Sequence, residues 1–247
     1  MRLYKKRWFK ISASILLVLI LAFGAFYIYT LDYYHATPAA VETMKQTQTV
    51  SVRQSDNMIL FSPNQSSSDT GLVFYPGGKV EYTAYAPLMM ELCKQGIPCV
   101  LLKMPFNLAV FDINGADRAI KALPNVKTWY IGGHSLGGAM ASSYAAKNDK
   151  KLAGIILLGA YPSSDLSKTK LNLLCMYGTK DGVLNRQKFN ESKVNSPQNT
   201  KYIEIAGGNH AYFGTYGEQK GDGTATITQK EQQKITVQAI ANFIKNS

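Results

Sequence analysis

Short apolar runs alternate with amphipathic stretches along most of the chain. The runs predict strands at 71–75, 98–103, 128–132, 154–160, 172–177 and 202–206, and the amphipathic stretches predict helices at 83–95, 113–123, 136–148, 185–191 and 228–245. A looser alternation over 49–61, broken by the turn pair Asp56-Asn57, predicts a hairpin. Strands that are apolar on both faces are typical of a parallel sheet covered by helices on both sides. We therefore expect an α/β fold with a mostly parallel, doubly wound sheet, whose functional sites lie at the carboxyl ends of its strands.

The N-terminal part of the chain has a different pattern. Residues 11–31 include no charged residue, and a run of this length is about long enough to cross a bilayer. Basic residues precede this run and tyrosines gather at its end, as in a membrane anchor with its N-terminus in the cytoplasm. We expect a cytoplasmic basic segment (1–10), a transmembrane anchor (11–31), a polar stalk (32–48) and an extracytoplasmic domain (49–247). The alternative is a signal peptide that is cleaved to release a secreted protein.

Composition and charge narrow the function classes. Apolar residues make up 46% of the chain and charged residues 17%, which is ample for a packed core. The formal net charge is +11, and beyond residue 10 the lysines and arginines are scattered singly. A nucleic-acid-binding protein usually clusters them on one element, so we expect no nucleic-acid partner. The basic surface suits anionic lipid or wall polymer instead.

The three cysteines, Cys93, Cys99 and Cys175, do not form a metal-binding or redox motif. Cys93 and Cys99 are close enough in sequence to form a disulfide outside the cytosol. Their neighbours resemble a helix end and the start of a buried strand, which favours two free, buried thiols. We also expect no metal and no cofactor.

A candidate nucleophile lies between the strand at 128–132 and the helix that follows. The run Gly133-His134-Ser135-Leu136-Gly137 has the Gly-x-Ser-x-Gly pattern of a tight strand-to-helix turn. Such a turn strains the serine backbone and leaves no room for side chains two residues away on either side. It also leaves the Leu136 amide at a helix N-terminus, where it can stabilise an oxyanion. These features predict Ser135 as the nucleophile of a serine hydrolase.

A serine nucleophile needs a base and a carboxylate. His134 lies inside the turn and His35 in the predicted stalk, which leaves His210, directly after the last predicted strand, as the base. Asp181 follows the preceding strand and is bracketed by glycines, so we predict it as the carboxylate. Asp165, in the loop after the strand at 154–160, is the alternative.

The loop Tyr75-Pro76-Gly77-Gly78-Lys79 follows an early strand and is the place for a second oxyanion donor. We expect the Gly78 amide to be this donor, with Lys79 as the alternative. Few residues separate the strand at 154–160 from the next strand, so no cap domain fits there and the site is expected to be open. We expect the loop 214–225 to form a partial rim. A metal role for its Asp222 is an alternative, but a Gly-Asp-Gly turn needs no metal ligand to explain it.

With these motifs, roughly residues 49–246 resemble the α/β-hydrolase superfamily, and most closely its small, capless bacterial branch near the dienelactone hydrolases. The resemblance implies a Ser135-Asp181-His210 triad that cleaves an ester through an acyl-enzyme, with oxyanion donors at Leu136 and Gly78. Dienelactone hydrolases use a cysteine nucleophile, so serine here makes their substrate doubtful. The leading hypothesis is therefore a membrane-anchored, extracytoplasmic carboxylesterase acting on a small or polymer-attached ester. An acyltransferase using the same triad, or a non-catalytic binding protein of this fold, is the alternative.

Overall fold

The computed structural model describes residues 2–65 and 68–246, and residues 2–7 by their backbone only. Met1 and the side chains of most of the predicted basic segment 1–10 therefore lie outside the described part of the chain. The described residues fall into two units, which divide between Tyr33 and Tyr34. We describe each unit separately.

The first unit is a single helix, α1 (Arg2–Leu31). Its portion Trp8–Leu31 is long and apolar enough to cross a membrane, a test that a signal sequence near an N-terminus passes as well. Large apolar side chains are exposed all along it, from Phe9 to Leu31. A helix that is apolar on every side is suited to a lipid environment rather than to the surface of a soluble domain.

The second unit is built on one sheet of eight strands within the described residues, in the order β1-β2-β4-β3-β5-β6-β7-β8. The strands are β1 (Val50–Gln54), β2 (Met58–Pro63), β3 (Thr70–Tyr75), β4 (Cys99–Leu102), β5 (Thr128–His134), β6 (Gly154–Leu158), β7 (Asn172–Gly178) and β8 (Thr200–Ile205). β1 and β2 form the expected antiparallel hairpin, and β3 to β8 are mutually parallel. The predicted strands and their doubly wound order are thus confirmed.

Helices cover both faces of this sheet. They are α2 (Pro38–Glu42), α3 (Ala86–Lys94), α4 (Ala116–Ala122), α5 (Leu136–Lys147), α6 (Arg186–Glu191) and α7 (Gln229–Lys245). Leu72 and Phe74 of β3 pack with α3 and α7, whereas Val73 and Tyr75 pack in a second core with α4, α5 and α6. Burial of both sets explains why the strands are continuously apolar in sequence. Residues 159–171, between β6 and β7, contain no helix or strand and form no cap.

The segment from Tyr34 to residue 48 differs from the predicted stalk. Tyr34 forms a parallel bridge with Val80, and the Thr37 amide donates to the Thr215 carbonyl at 2.9 Å. α2 follows, capped by the Thr37 side chain, and Ala40 is fully buried. This segment therefore belongs to the sheet-containing unit, because it pairs with the loop after β3 and buries apolar surface there.

All three cysteines are free and buried, which agrees with the expectation of unpaired thiols at Cys93 and Cys99. Burial raises the pKa of the Cys93 and Cys175 thiols to about 12, and the pKa of Cys99 well above its usual value. The uncharged thiol is favoured because a thiolate in these apolar surroundings would lose its hydration.

Candidate active site

Ser135 lies at a sharp turn between β5 and α5. Its backbone has φ 52° and ψ −122°, a left-handed conformation that a non-glycine residue rarely adopts. A Cβ atom added to Gly133 would lie 2.5 Å from the Gly137 carbonyl carbon, and one added to Gly137 would collide with the Tyr75 and Pro76 carbonyl oxygens. The glycines are thus required by the close approach of three backbone segments. The turn places Ser135 at the carboxyl end of β5, as its pattern predicts.

His210 and Asp181 come together at the same end of the sheet, in the loops after β8 and β7. The distance from His210 Nδ1 to Asp181 Oδ2 is 2.8 Å, and both side chains are almost completely buried. The other carboxylate oxygen of Asp181, Oδ1, accepts hydrogen bonds from the amides of Val183 at 2.9 Å and Leu184 at 2.8 Å. The carboxylate is therefore held in place by its own loop and faces the imidazole.

Ser135 and His210 line one open cavity of about 340 Å³, together with Leu136, Ala160, Tyr161 and Ser163. His210 Nε2 is buried and has no hydrogen-bond partner among the described residues, so no hydrogen bond joins it to the Ser135 hydroxyl. Such bonds are often long in free enzymes and shorten when substrate binds. When Nδ1 carries the proton and donates it in a hydrogen bond to Asp181, Nε2 is the ring nitrogen that can accept a proton.

The two expected oxyanion donors lie side by side. A Cβ atom added to Gly78 would be only 3.1 Å from Leu136 Cβ. The amides on either side of Gly78 are occupied, since Gly77 N donates to the Tyr85 hydroxyl at 3.1 Å and Lys79 N to the Asn107 carbonyl at 2.8 Å. Within the described residues the amides of Gly78 and Leu136 have no protein acceptor. Of the two alternatives, Gly78 is thus available to a substrate and Lys79 is not.

Asp165, the alternative carboxylate, makes its hydrogen bonds within its own loop. It accepts hydrogen bonds from the amide and hydroxyl of Ser167, at 2.9 and 2.6 Å, and the hydroxyl bond is the main cause of its lowered pKa. Its loop follows β6, whereas His210 is paired with Asp181 from the loop after β7. The structure therefore favours Asp181 over Asp165.

Asp222 holds together the loops around the site, a role that sequence reasoning missed. Its Oδ1 accepts hydrogen bonds from the amides of Gly182 (3.0 Å), His210 (3.2 Å) and Gly223 (2.8 Å), and its Oδ2 from the amide of Ala211 (2.8 Å). The bonds from Gly182, His210 and Ala211 connect the loop that carries Asp181 with the loop that carries His210, and the bond from Gly223 lies within the loop of Asp222 itself. They account for the position of this carboxylate, for which we had weighed a metal role. The sequence offered only a Gly-Asp-Gly turn as a signal.

A second histidine is packed behind the base. The His134 ring lies 4.4 Å from the His210 ring, centroid to centroid, and its Nδ1 is 2.7 Å from the Tyr85 hydroxyl. Burial raises the pKa of Tyr85, so its hydroxyl stays protonated and donates a hydrogen bond to His134 Nδ1. Burial, and secondarily the proximity of His210, holds the pKa of His134 well below its usual value. His134 is thus a neutral packing partner of the base.

A larger cavity, about 670 Å³, lies between α2, α3 and α7. The described residues that line it include Glu91, Lys230 and Lys234 but no serine, cysteine or histidine. It therefore lacks the nucleophile and base that the smaller cavity brings together.

Comparisons with known proteins agree with this architecture. A sequence model of the alpha/beta hydrolase family matches residues 71–234. A dienelactone hydrolase from Anabaena variabilis has 17% sequence identity and a TM-score of 0.58, over 80% of this chain and 98% of its own. A predicted CIB-like hydrolase from Thermoplasma acidophilum has 16% identity and a TM-score of 0.58, over 78% of this chain and 99% of its own. A hormone-sensitive lipase from a metagenome library has 13% identity and a TM-score of 0.60, over 83% of this chain and 87% of its own. No curated protein matches the chain.

Proposed function

This chain belongs to the alpha/beta hydrolase family, and we propose that it is a membrane-anchored serine hydrolase that cleaves esters outside the cytoplasm through Ser135, His210 and Asp181. The observation that carries the proposal is the buried pair of His210 Nδ1 and Asp181 Oδ2, 2.8 Å apart, beside the cavity that Ser135 also lines. Burying an imidazole-carboxylate pair next to a strained serine costs free energy of folding. Such costs are concentrated at functional sites, so the arrangement supports a catalytic role.

The proposed reaction proceeds in two stages. His210 Nε2 takes the Ser135 hydroxyl proton as Oγ attacks the ester carbonyl, and Asp181 stabilises the imidazolium that forms. The Gly78 and Leu136 amides donate hydrogen bonds to the developing oxyanion. The protonated His210 then returns its proton to the departing alcohol. In the second stage His210 activates a water that releases the acid from Ser135, which regenerates the enzyme.

The proposed location depends on α1. The span Trp8–Leu31 is suited to cross the bilayer, and the basic residues before it favour the cytoplasmic side for the N-terminus. The sheet-containing unit then lies on the outer side. The open cavity, without a cap over β6 and β7, suits an ester that arrives attached to a larger molecule.

A fluorophosphonate probe on the purified full chain tests the nucleophile. We expect labelling of the wild-type protein and its complete loss in Ser135→Ala, with turnover of p-nitrophenyl esters falling by roughly 10³ to 10⁶. Ser163→Ala is the matched control, because this serine lines the same cavity and its hydroxyl donates to the Ala139 carbonyl at 2.6 Å. Labelling that persists in Ser135→Ala, or a wild-type protein that the probe does not label, would contradict the proposal.

A further inference from the structure

The loop after β4, residues 105–111, exposes apolar side chains beside the candidate site. Phe106, Val110 and Phe111 are 43%, 42% and 51% exposed, and the two phenylalanine rings pack edge to face at 5.6 Å. We call this segment the apolar loop. Phe106 and Asn107 both have positive φ, 56° and 55°, although neither is glycine. A contiguous exposed apolar surface on a fixed loop is typical of a contact site for a partner or a membrane.

Two hydrogen bonds connect the apolar loop to the start of the sheet-containing unit. The Lys79 amide donates to the Asn107 carbonyl at 2.8 Å, and the Tyr34 amide donates to the Lys79 carbonyl at 2.8 Å. Tyr34 is the third residue after Leu31, where α1 ends. Three residues of extended chain span at most about 11 Å. The sheet-containing unit therefore begins beside the apolar loop, three residues after the apolar helix ends.

The apolar loop and the candidate site lie at the same edge of the sheet. The loop follows the carboxyl end of β4, and Ser135 follows the carboxyl end of β5, two strand positions away in the sheet order. Adjacent strands are about 4.8 Å apart, so the two strand ends are separated by roughly 10 Å. Residues 109–111 also pack against α5, whose first residue supplies an expected oxyanion amide. A surface that binds the apolar loop thus lies next to the cavity.

We propose that the apolar loop docks onto the surface of the bilayer that α1 crosses, and that the candidate site takes esters held in that bilayer. The proposal rests on the proposed anchor and hydrolase function. Phenylalanine side chains bury well at the boundary between headgroups and acyl chains, and the exposed Lys103, just before the loop, suits anionic headgroups. Docking holds the site edge against the lipid, where an ester can enter the cavity without first dissolving in water.

Site-directed fluorescence in nanodiscs tests the docking directly. The full chain, one copy per disc, carries a polarity-sensitive dye at Val110→Cys, and the discs contain anionic lipid and a lipid with a spin label near its headgroup. Val194→Cys is the matched control, because Val194 is 79% exposed but precedes β8, at the opposite edge of the sheet. The native cysteines are buried, which limits background labelling.

We expect the spin label to quench the dye at Val110→Cys at least about threefold more than at Val194→Cys, because only the apolar loop reaches the interface. Phe106→Ser combined with Phe111→Ser should reduce this quenching to the control level. Equal quenching at the two positions would overturn the docking. The same result is expected if the loop is a contact site for a soluble protein or a second copy of the chain rather than for lipid. Because quenching needs no catalysis, this result is independent of the proposed hydrolase function.

The substrate class is tested with the same double variant. We compare the rate on a long-chain ester in the disc with the rate on a water-soluble short-chain ester. We expect the ratio of the first rate to the second to fall at least about tenfold relative to wild type, because docking assists only the ester held in the bilayer. Thermal unfolding of the variant checks that it is folded. An unchanged ratio would overturn the substrate assignment. Failure of the wild type to cleave either ester would instead contradict the proposed function.

Discussion

The strand-to-helix turn at Ser135, which we call the elbow, and the loop around His210 are held in place by different physical means. At the elbow, three backbone segments touch and two glycines make the contact possible, so steric fit fixes the geometry. At the His210 loop, Asp222 accepts hydrogen bonds from the backbone amides of His210 and Ala211. Gln232 also accepts from the Asn209 amide and donates to the Asn209 carbonyl, at 2.9 and 2.8 Å. The elbow is thus sensitive to added volume, whereas the His210 loop is sensitive to lost acceptors.

The largest effect is expected from Gly137→Ala, because the new methyl group meets the carbonyl oxygens of Tyr75 and Pro76 and not a flexible side chain. We expect a loss of more than about 4 kcal/mol in the free energy of unfolding, and little folded protein. Gly217→Ala is the control, since Gly217 has φ 83° but nothing within 4 Å of its added Cβ. Its cost should be only about 1–2 kcal/mol, measured by thermal unfolding. Because Gly137 itself does not have a positive φ, a loss no larger than that of Gly217→Ala would contradict the steric account of the elbow.

Asp181→Asn should abolish most of the activity while leaving the fold intact. The amide keeps one oxygen for the Val183 and Leu184 amides but presents an NH₂ group to His210 Nδ1. The imidazole then carries its proton on the nitrogen that should act as base, a change that costs about 10⁴ in kcat in serine proteases. Asp165→Asn is the control and should keep near wild-type turnover of a p-nitrophenyl ester. A similar loss in both variants would remove Asp181 from its proposed role.

Asp222→Asn tests the connection between the two loops. The NH₂ group replaces an acceptor oxygen, so that at least one of the four backbone donors loses its partner, at a cost of about 1–3 kcal/mol. Displacement of His210 by a fraction of an ångström to 1 Å should lower kcat by up to about 10²-fold. Kinetics and thermal unfolding should be compared with Glu218→Gln, an exposed change in the same loop. Loss of stability with unchanged kcat would show that Asp222 supports the fold but does not position His210.

The smallest effect concerns pH. The folded-state pKa of His134 lies well below 6.5, because burial and the nearby His210 disfavour its charged form. The unfolded chain therefore binds a proton that the folded protein does not, and stability is lost as the pH falls below about 6.5, by up to about 1.4 kcal/mol per unit for this group. Urea unfolding at pH 7 and pH 5 should show a smaller difference for His134→Asn than for wild type. An equal difference would assign the acid sensitivity to other groups.

The sequence was informative where local pattern determines structure. The apolar strands, the hairpin at 49–61 and the turn at Ser135 follow from short-range periodicity and glycine placement, and all of them are found. Asp181 and His210 were predicted to meet because both follow parallel strands whose carboxyl ends share one edge of the sheet. This inference needs the topology but no detail of packing.

Sequence reasoning was less successful where contacts are long-range. Nothing near Tyr34 in the sequence indicates that its amide pairs with a loop 45 residues later, and the polar composition of the segment predicts a stalk instead. The Gly182 amide donates a hydrogen bond to Asp222, 40 residues later in the chain, and this bond depends on how two loops approach each other. Phe106 is exposed and has a left-handed backbone, although no glycine in the sequence indicates such a conformation there.

The burial of the three cysteines has a consequence for chemical durability. With a pKa of about 12, the Cys93 and Cys175 thiols are ionised to only about 10⁻⁵ at pH 7, and the thiolate is the form that oxidants and electrophiles attack. These thiols should therefore oxidise slowly even in an oxidising environment, as long as they stay buried. A thiol-directed reagent should leave its activity unchanged for as long as the sheet remains folded.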